Sequence, residues 1–390
     1  MSNVHRESTA SAAFGRLVKV EAHVLRWPVR VPVRTSFGTM HDRPAVLVRV
    51  EDADGAHGWG EAWCNFPSCG AEHRARLVET VLAPLLVERR FASAEAAFDD
   101  MTQKTAVLAL QTGEPGPLAQ AIAGIDIALH DLAARRAGQP LWRLLRDASG
   151  AATPVDAAPP HVSVYASGIN PDGAGDAVAR LRASGHTGFK LKVGFGAERD
   201  LGNLRDARAA AGAEALLMVD ANQAWDLDGA LEMSERFASM GLAWLEEPMR
   251  ADRPLQEWQR LAEAAPMPLA AGENAIGEAA FDALITSRAI AVMQPDLAKW
   301  GGISGVLRVI ERIEAAGLRY CPHYLGAGIG LLASAHVLAS RGTPAPLLEV
   351  DSNENPCERR CARRSRGSST AASSSATSAG WASRSILRQC

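Results

Sequence analysis

From Val162 onward the chain alternates short apolar strands with helical stretches, and this rhythm restricts the possible folds more than any other feature. Strand-like runs are read at Val162–Ala166, Gly188–Val193, Leu216–Asp220, Ala243–Glu246, Leu269–Glu273, Ala291–Gln294, Leu318–Pro322 and Leu347–Val350. Helical patterns separate most of them, at Gly173–Ser184, Arg199–Ala211, Gly229–Met240, Leu255–Ala265, Ile276–Ser287 and Ile303–Ala316. A strand that is followed by a crossover helix must pair in parallel with its successor. Eight such strands favour closure into a barrel, although an open doubly wound sheet has the same local pattern. In a parallel barrel, the side chains at the C-terminal strand ends share one mouth.

Those strand ends carry ionisable groups. Lys190 and Lys192 are two apart in Phe-Lys-Leu-Lys-Val, so both ammonium groups project from one face of a strand. Two like charges on a buried face must each find a partner or lose a proton. Asp220 ends the next strand, Glu246 and Glu247 the one after, and Glu273 the fifth. Asp296 follows the sixth strand, His323 the seventh, and Glu349 lies in the eighth. Asp220, Glu246 and Glu273 at neighbouring strand ends would repel one another unless they shared a hard divalent cation, and an all-oxygen donor set suits Mg²⁺. A lysine beside a cation and a second lysine has its pKa lowered, which makes Lys192 a candidate base tuned by Lys190. His323 is the other candidate base. Asp296 is placed to hold its far nitrogen and fix the tautomer.

The first 145 residues have a different pattern. A strand is read from Leu17 to Arg30, broken by Pro28 and Pro32, and Val33–Met40 is read as a loop. Ala45–Val50 and Gly58–Trp63 form a hairpin, and helices follow at Ala71–Val87, Ser93–Ala109 and Pro117–Arg136. The expectation is an α+β domain over residues 17–145, preceded by a disordered segment 1–16 and joined by a linker 146–160 to a barrel domain 161–356. A net charge of −3 argues against nucleic-acid or polybasic membrane partners, and no run of about 18 apolar residues is present. The six cysteines lack metal-ligand spacing, which fits a reducing, cytoplasmic setting.

The ordered set Lys190-x-Lys192, Asp220-Ala-Asn222, Glu246-Glu247-Pro248, Gly272-Glu273-Asn274, Asp296 before Gly301-Gly302, and Pro322-His323 resembles the enolase superfamily, and within it the mandelate racemase subgroup. The resemblance covers roughly residues 17–356. It implies a modified TIM barrel, (β/α)₇β, under an N-terminal α+β capping domain whose loops near Arg34–Met40 and Ala62–Pro67 close over the substrate. It implies that Asp220, Glu246 and Glu273 bind Mg²⁺. Lys192 would then abstract the proton α to a carboxylate, giving an enediolate. It also implies that His323 with Asp296 is the second acid/base, and that Glu349, Lys190 and Asn222 bind a small carboxylate substrate. Asp296 stands where the muconate-lactonizing and dipeptide-epimerase subgroups carry lysine, which argues against those subgroups. The expected reaction is dehydration of a sugar acid, an aldonate or aldarate, to a 2-keto-3-deoxy acid. Racemisation or epimerisation of a 2-hydroxy acid is the alternative, and a catalytically silent metal-binding scaffold is the second alternative. A homo-oligomer is expected.

Residues 357–390 depart from this pattern. Cys-Glu-Arg-Arg-Cys-Ala-Arg-Arg leads into a Ser/Ala/Thr run with no apolar periodicity. Such a composition predicts a disordered tail, or a frameshifted end in place of the family's own segment packing back on the cap.

Overall fold

A computed structural model describes residues 14–151, 160–342 and 346–358. Residues 1–13 of the expected N-terminal segment 1–16, the middle of the linker and the tail beyond residue 358 lie outside the described residues. The N-terminal domain is built on a three-stranded antiparallel sheet of β1 (Leu17–Arg34), β2 (Thr39–Asp52) and β3 (His57–Ala62) in the order β1-β2-β3. β1 runs through Pro28 and Pro32 instead of stopping there, with a register shift between Pro28 and Val33. It is an edge strand in this sheet, and an edge tolerates the missing N–H of proline. Much of the expected Val33–Met40 loop is therefore hairpin, and only a few residues around Ser36–Gly38 turn the chain.

Helices at Gly70–Arg76, Ala83–Leu86, Ala94–Thr112 and Pro115–Ala137 cover one face of this sheet, the first two joined by a π-helical segment. Val46, Val48 and Val50 on β2 pack with Ile122, Ile125, Leu129 and Leu132 of the long helix, as the apolar stripe of that helix predicts. Helix and strand approach so closely that a Cβ on Gly60 would lie 1.9 Å from the Gly124 carbonyl oxygen. Phe14, placed by its polar surroundings in the disordered N-terminal segment, is 1% exposed in this core. It anchors the start of the chain, and Gly15 N donates to the Asp52 carboxylate at 3.0 Å.

The second domain holds eight parallel strands: β4 (Ser163–Ile169), β5 (Gly188–Lys192), β6 (Leu216–Asp220), β7 (Leu245–Glu246), β8 (Leu269–Ala271), β9 (Val292–Met293), β10 (Arg319–Tyr320) and β11 (Leu347–Asp351). Their order is β10-β9-β8-β7-β6-β5-β4-β11, so the sheet curls until its first and last members meet. Cys321 reaches across that seam, its Sγ 3.3 Å from the Leu347 carbonyl oxygen. A helix follows each of β4 to β10, and among the described residues β11 is followed only by a short helical turn at 356–358, which is the (β/α)₇β barrel expected. Tyr165, Met218, Trp244, Ala270, Val292, Cys321 and Leu347 cluster as an apolar floor. The polar ends of the strands stand above it.

Two helices were not anticipated. Leu141–Ala148 runs from the end of the expected cap domain into the start of the expected linker, and Gly328–Arg341 lies between the seventh and eighth barrel strands. The latter is buried from Gly328 to Ser340 and so has no polar face whose period could mark it. At the other end, Cys357 and Glu358 are buried in a helical turn, so the ordered barrel domain extends past the expected boundary at residue 356. Among the described residues, no helix is long and apolar enough to cross a membrane.

Candidate active site

The β5–β6–β7 register sets Lys192 beside Asp220 and Asp220 beside Glu246. Each lysine finds a partner. Lys190 Nζ lies 2.5 Å from Glu246 Oε1 and 2.7 Å from Glu349 Oε1, and it is 1% exposed. Lys192 Nζ lies 2.6 Å from Asp220 Oδ2. Burial and the charge of Lys190 push the pKa of Lys192 down, but Asp220 and the neighbouring carboxylates outweigh them and the net shift is upward. The lowering expected of Lys192 presupposes a cation beside it, and with Asp220 paired directly to the ammonium the carboxylate outweighs both desolvation and the second lysine. Lys190 is likewise held well above its ordinary value by Glu246 and Glu349 against the cost of burial.

The carboxylates divide into two groups. Glu246 accepts from Trp244 Nε1 at 3.1 Å and from Gln294 Nε2 at 2.6 Å, yet burial still pushes its pKa up to about 7. Lys190 lowers it while Asp220, Glu349 and Glu273 raise it. Glu273 behaves in the opposite way. Burial raises it, but His323 and Lys299 outweigh burial and hold it well below the usual carboxylate range. His323 Nε2 is 2.5 Å from Glu273 Oε2, and its Nδ1 is 2.7 Å from Asp296 Oδ2. Burial lowers the imidazole pKa, but Glu273, Glu349 and Asp296 carry it well above the ordinary value. The opposite edge of Asp296 accepts from the backbone of Ala298 at 2.8 Å, which fixes the carboxylate plane behind the ring. Glu349, lowered by Lys190 and His323 against burial, also accepts from the Ser167 hydroxyl and from the backbone N–H of Tyr324.

The nine site residues named from the sequence fall in one charged network of three hydrogen-bonded groups, with Lys192 and Asn222 on Asp220 (Asn222 Nδ2 at 3.1 Å), Lys190 between Glu246 and Glu349, and His323 between Glu273 and Asp296. Asn222 and Glu247 sit at φ 44° and 39°, strained positions for side-chain-bearing residues at the mouth. Several members of the network carry no sequence signal of their own. Lys299 lies 2.7 Å from Asn274 Oδ1 and 3.5 Å from Glu273, with its ammonium 4.8 Å from the centre of the Trp63 ring of the cap. Gln294 and Ser167 are polar residues of ordinary type whose role appears only when the strands are assembled.

The donor set fits a hard divalent cation. Burial, with the nearby charges of Asp220 and Glu273, pushes the pKa of both Glu246 and Glu247 up, and the buried Oδ1 of Asn222 has no hydrogen-bond partner. Here the carboxylates close on lysine and histidine side chains, and among the described residues no three metal-type groups stand in ligating position. A cleft of about 620 Å³ opens beside them, lined by Ser36 and Phe37 of the cap and by Asn222, Gln223, Arg250, Asp252 and Asn274 of the barrel.

A capped (β/α)₇β barrel with lysines on one side of its mouth, a histidine–aspartate pair on the other and carboxylates between defines an enzyme of the enolase superfamily. The N-terminal domain description of mandelate racemase/muconate lactonizing enzymes matches residues 18–146, and the enolase C-terminal domain-like description matches residues 174–362. A solved mandelate racemase/muconate lactonizing enzyme from Bordetella bronchiseptica RB50 is 55% identical, covering 96% of this chain and 99% of that one at a TM-score of 0.84. The chain belongs to the mandelate racemase/muconate lactonizing enzyme family. D-galactarolactone cycloisomerase of Agrobacterium fabrum is 28% identical, over 89% of this chain and 90% of its own length. Arabinonate dehydratase of Saccharolobus solfataricus is 29% identical over 80% and 81%. A Bradyrhizobium enolase complexed with magnesium and mandelic acid is 28% identical over 86% of this chain and 87% of that one, at a TM-score of 0.74.

Proposed function

We propose that the protein dehydrates a sugar acid, an aldonate or aldarate, to a 2-keto-3-deoxy acid after removing the proton α to the carboxylate. The observation that carries this reading is the hydrogen bond of 2.7 Å between His323 Nδ1 and Asp296, which equips the barrel mouth with a general acid across from the lysines. Dehydration needs such an acid, because hydroxide is a poor leaving group and must depart as water. Lys190, Asn222 and Glu349 bind and orient the substrate carboxylate. Lys192 takes the α-proton on one face once its own proton has been shed, and the electron pair left on the α-carbon forms the substrate enediolate. His323 donates its proton to the β-hydroxyl, the carbon–oxygen bond breaks, and the resulting enol tautomerises to the 2-keto acid. Asp220, Glu246 and Glu273 would hold Mg²⁺, which supplies positive charge where negative charge develops on the carboxylate oxygens.

The polar lining of the cleft supports a polyhydroxylated substrate. Arg250, Asp252, Gln223 and Asn222 offer donors and acceptors for several hydroxyls, where an aryl 2-hydroxy acid would use few of them. The cap contributes Phe37, Phe66 and Trp63, with ring centroids 5.2 and 6.5 Å apart along the row. That apolar lid is the observation favouring the second reading, racemisation of a 2-hydroxy acid, in which His323 returns the proton to the opposite face. A homo-oligomer belongs to the proposal and is supported by Val107 and Leu110, which are 69% and 82% exposed on one helix.

Proton NMR of the protein with Mg²⁺ and pooled sugar acids in D₂O tests this. Loss of one acid with a keto-acid product is the expected result. Blank wells for every sugar acid, with racemisation of mandelate-like acids, would overturn it in favour of the second reading.

A further inference from the structure

The acid/base loop is gripped from the cap. Glu61, on β3, reaches out of the cap sheet into the barrel and is 2% exposed. One of its oxygens accepts from the Tyr324 hydroxyl at 2.7 Å and from Ala327 N at 2.5 Å. The other accepts from Ile329 N at 3.1 Å and Gly330 N at 3.0 Å, at the start of the helix Gly328–Arg341. Helices are ordinarily capped by a short polar side chain immediately before the first turn. Here the acceptor lies more than 260 positions away in sequence and belongs to the other domain.

The segment that this carboxylate holds, Tyr324–Ala327, begins at the residue after His323. Tyr324 is tied at both ends, since its backbone N–H donates to Glu349 at 3.1 Å while its hydroxyl is set between Glu61 at 2.7 Å and the Ala327 carbonyl oxygen at 2.5 Å. Asn65 Nδ2, four residues beyond Glu61 in the stretch that carries Trp63 and Phe66, donates to the Leu325 carbonyl at 2.7 Å. Asn355 Nδ2 donates to the Gly326 carbonyl at 2.6 Å from the C-terminal side. A Cβ on Gly326 would lie 2.6 Å from both Glu61 Oε1 and the Tyr324 hydroxyl, so the packing admits no side chain there. Burying a carboxylate costs several kcal/mol unless its hydrogen bonds are met in full. Those of Glu61 are met by the loop that carries His323.

We infer that Glu61, acting through Tyr324, is a positioning residue for His323, tying the seat of the acid/base imidazole to the cap strand that leads into the aromatic lid. The inference rests on the acid/base role given to His323 above. Its consequence is selective. Loosening the link displaces the imidazole from Asp296 and leaves Lys192, on the far side of the mouth, in place.

The test compares Tyr324→Phe and Glu61→Gln with the parent protein, all as full chains with Mg²⁺. Tyr324→Phe deletes one hydroxyl and keeps the helix start capped, so it reads the link even where Glu61→Gln folds poorly. The first readout is the downfield proton resonance of the His323 Nδ1–H held by Asp296, assigned by its loss in His323→Asn. It is expected to shift or broaden in Tyr324→Phe. The second is a kcat lowered by about tenfold or more with KM within about threefold, because the group lost acts in the transition state and not in substrate binding. An unmoved resonance in folded Tyr324→Phe overturns the inference, as does a kcat within about twofold of the parent. The resonance needs no turnover. If the parent dehydrates no sugar acid, the dehydratase reading fails by itself and the resonance still decides the role of Glu61 and Tyr324.

Discussion

Asp126 in the long cap helix accepts three hydrogen bonds from the first turn of a barrel helix, from Ile303 N at 2.7 Å, Ser304 N at 3.0 Å and the Ser304 hydroxyl at 2.6 Å. His130, one turn on, is 2.9 Å from the same hydroxyl. With Glu61 on the next barrel helix, two cap carboxylates are therefore seated on the N-termini of two consecutive barrel helices, where partial positive charge favours them. Two such anchors oppose rotation of the body of the cap over the barrel. Any closing movement falls to the Ser36–Gly38 turn and the Trp63–Phe66 stretch.

Replacing Asp126 by Ala leaves two backbone N–H groups buried without an acceptor and the Ser304 hydroxyl with only His130 beside it. The expected loss is about 2–4 kcal/mol of folding stability, read as a lowered midpoint in urea. Ser304→Ala, which removes one donor and leaves the backbone pairs intact, is expected to cost about 1 kcal/mol. Equal midpoints for Asp126→Ala and the parent would show that the cap is not anchored here.

The roles proposed for Lys192 and His323 are separable by isotope. Lys192→Ala is expected to abolish exchange of the substrate α-proton with D₂O and to lower kcat by about 10²- to 10⁴-fold. His323→Asn is expected to stop product formation while the Lys192-dependent exchange continues. Both variants are read in the same NMR experiment. Exchange that survives in Lys192→Ala would transfer the abstraction step to His323.

How much of this was legible beforehand follows from what each residue does. The strand ends were legible because a parallel barrel gathers them at one mouth, so Lys190, Lys192, Asp220, Glu246, Glu273, Asp296, His323 and Glu349 announced themselves by position alone. The strands that carry them were overdrawn. β7, β9 and β10 are each two residues long, because the apolar run begins before the ladder does, with Ala243 and Trp244 ahead of β7, Ala291 ahead of β9 and Leu318 ahead of β10. The pairing partners were not legible. That Lys190 bridges Glu246 and Glu349, while Lys192 takes Asp220, depends on the register of β4, β5, β6 and β11, which no local pattern records. Glu61 in Gly-Trp-Gly-Glu-Ala reads as the polar position of an alternating hairpin strand. Its burial is decided by a domain that begins a hundred residues later.

Metal removal gives a second handle on the carboxylates. Dialysis against chelator is expected to abolish turnover, and Mg²⁺ is expected to restore it. Glu246→Gln and Glu273→Gln are expected to weaken binding of Mg²⁺ in titration calorimetry by at least about tenfold each, the scale on which metal sites respond to altered ligands and their partners. Calorimetry measures the site without a substrate, so it remains decisive if the substrate is another acid. Unchanged affinity in both variants would remove these carboxylates from the metal site.

The last prediction concerns stability and lies away from the chemistry. His336 is 2% exposed in the apolar helix Gly328–Arg341, and its Nδ1 accepts from the backbone N–H of Trp142 at 3.0 Å. Burial pushes its pKa down from 6.5 to about 4. The folded protein therefore holds this imidazole neutral where the unfolded chain already protonates it. Between those two pKa values the unfolded state binds more protons, so stability rises with pH there and falls as the pH drops below 6.5. From pH 7 to pH 5 this one group accounts for a loss of about 2 kcal/mol, and the contribution levels off below about pH 4, where both states are protonated. His336→Asn keeps an acceptor for Trp142 and removes the titration. Urea midpoints at pH 7 and pH 5 are expected to fall less in the variant than in the parent, by an amount corresponding to that difference. Parallel slopes would mean that water reaches the ring in the native state and that His336 titrates as an exposed histidine does.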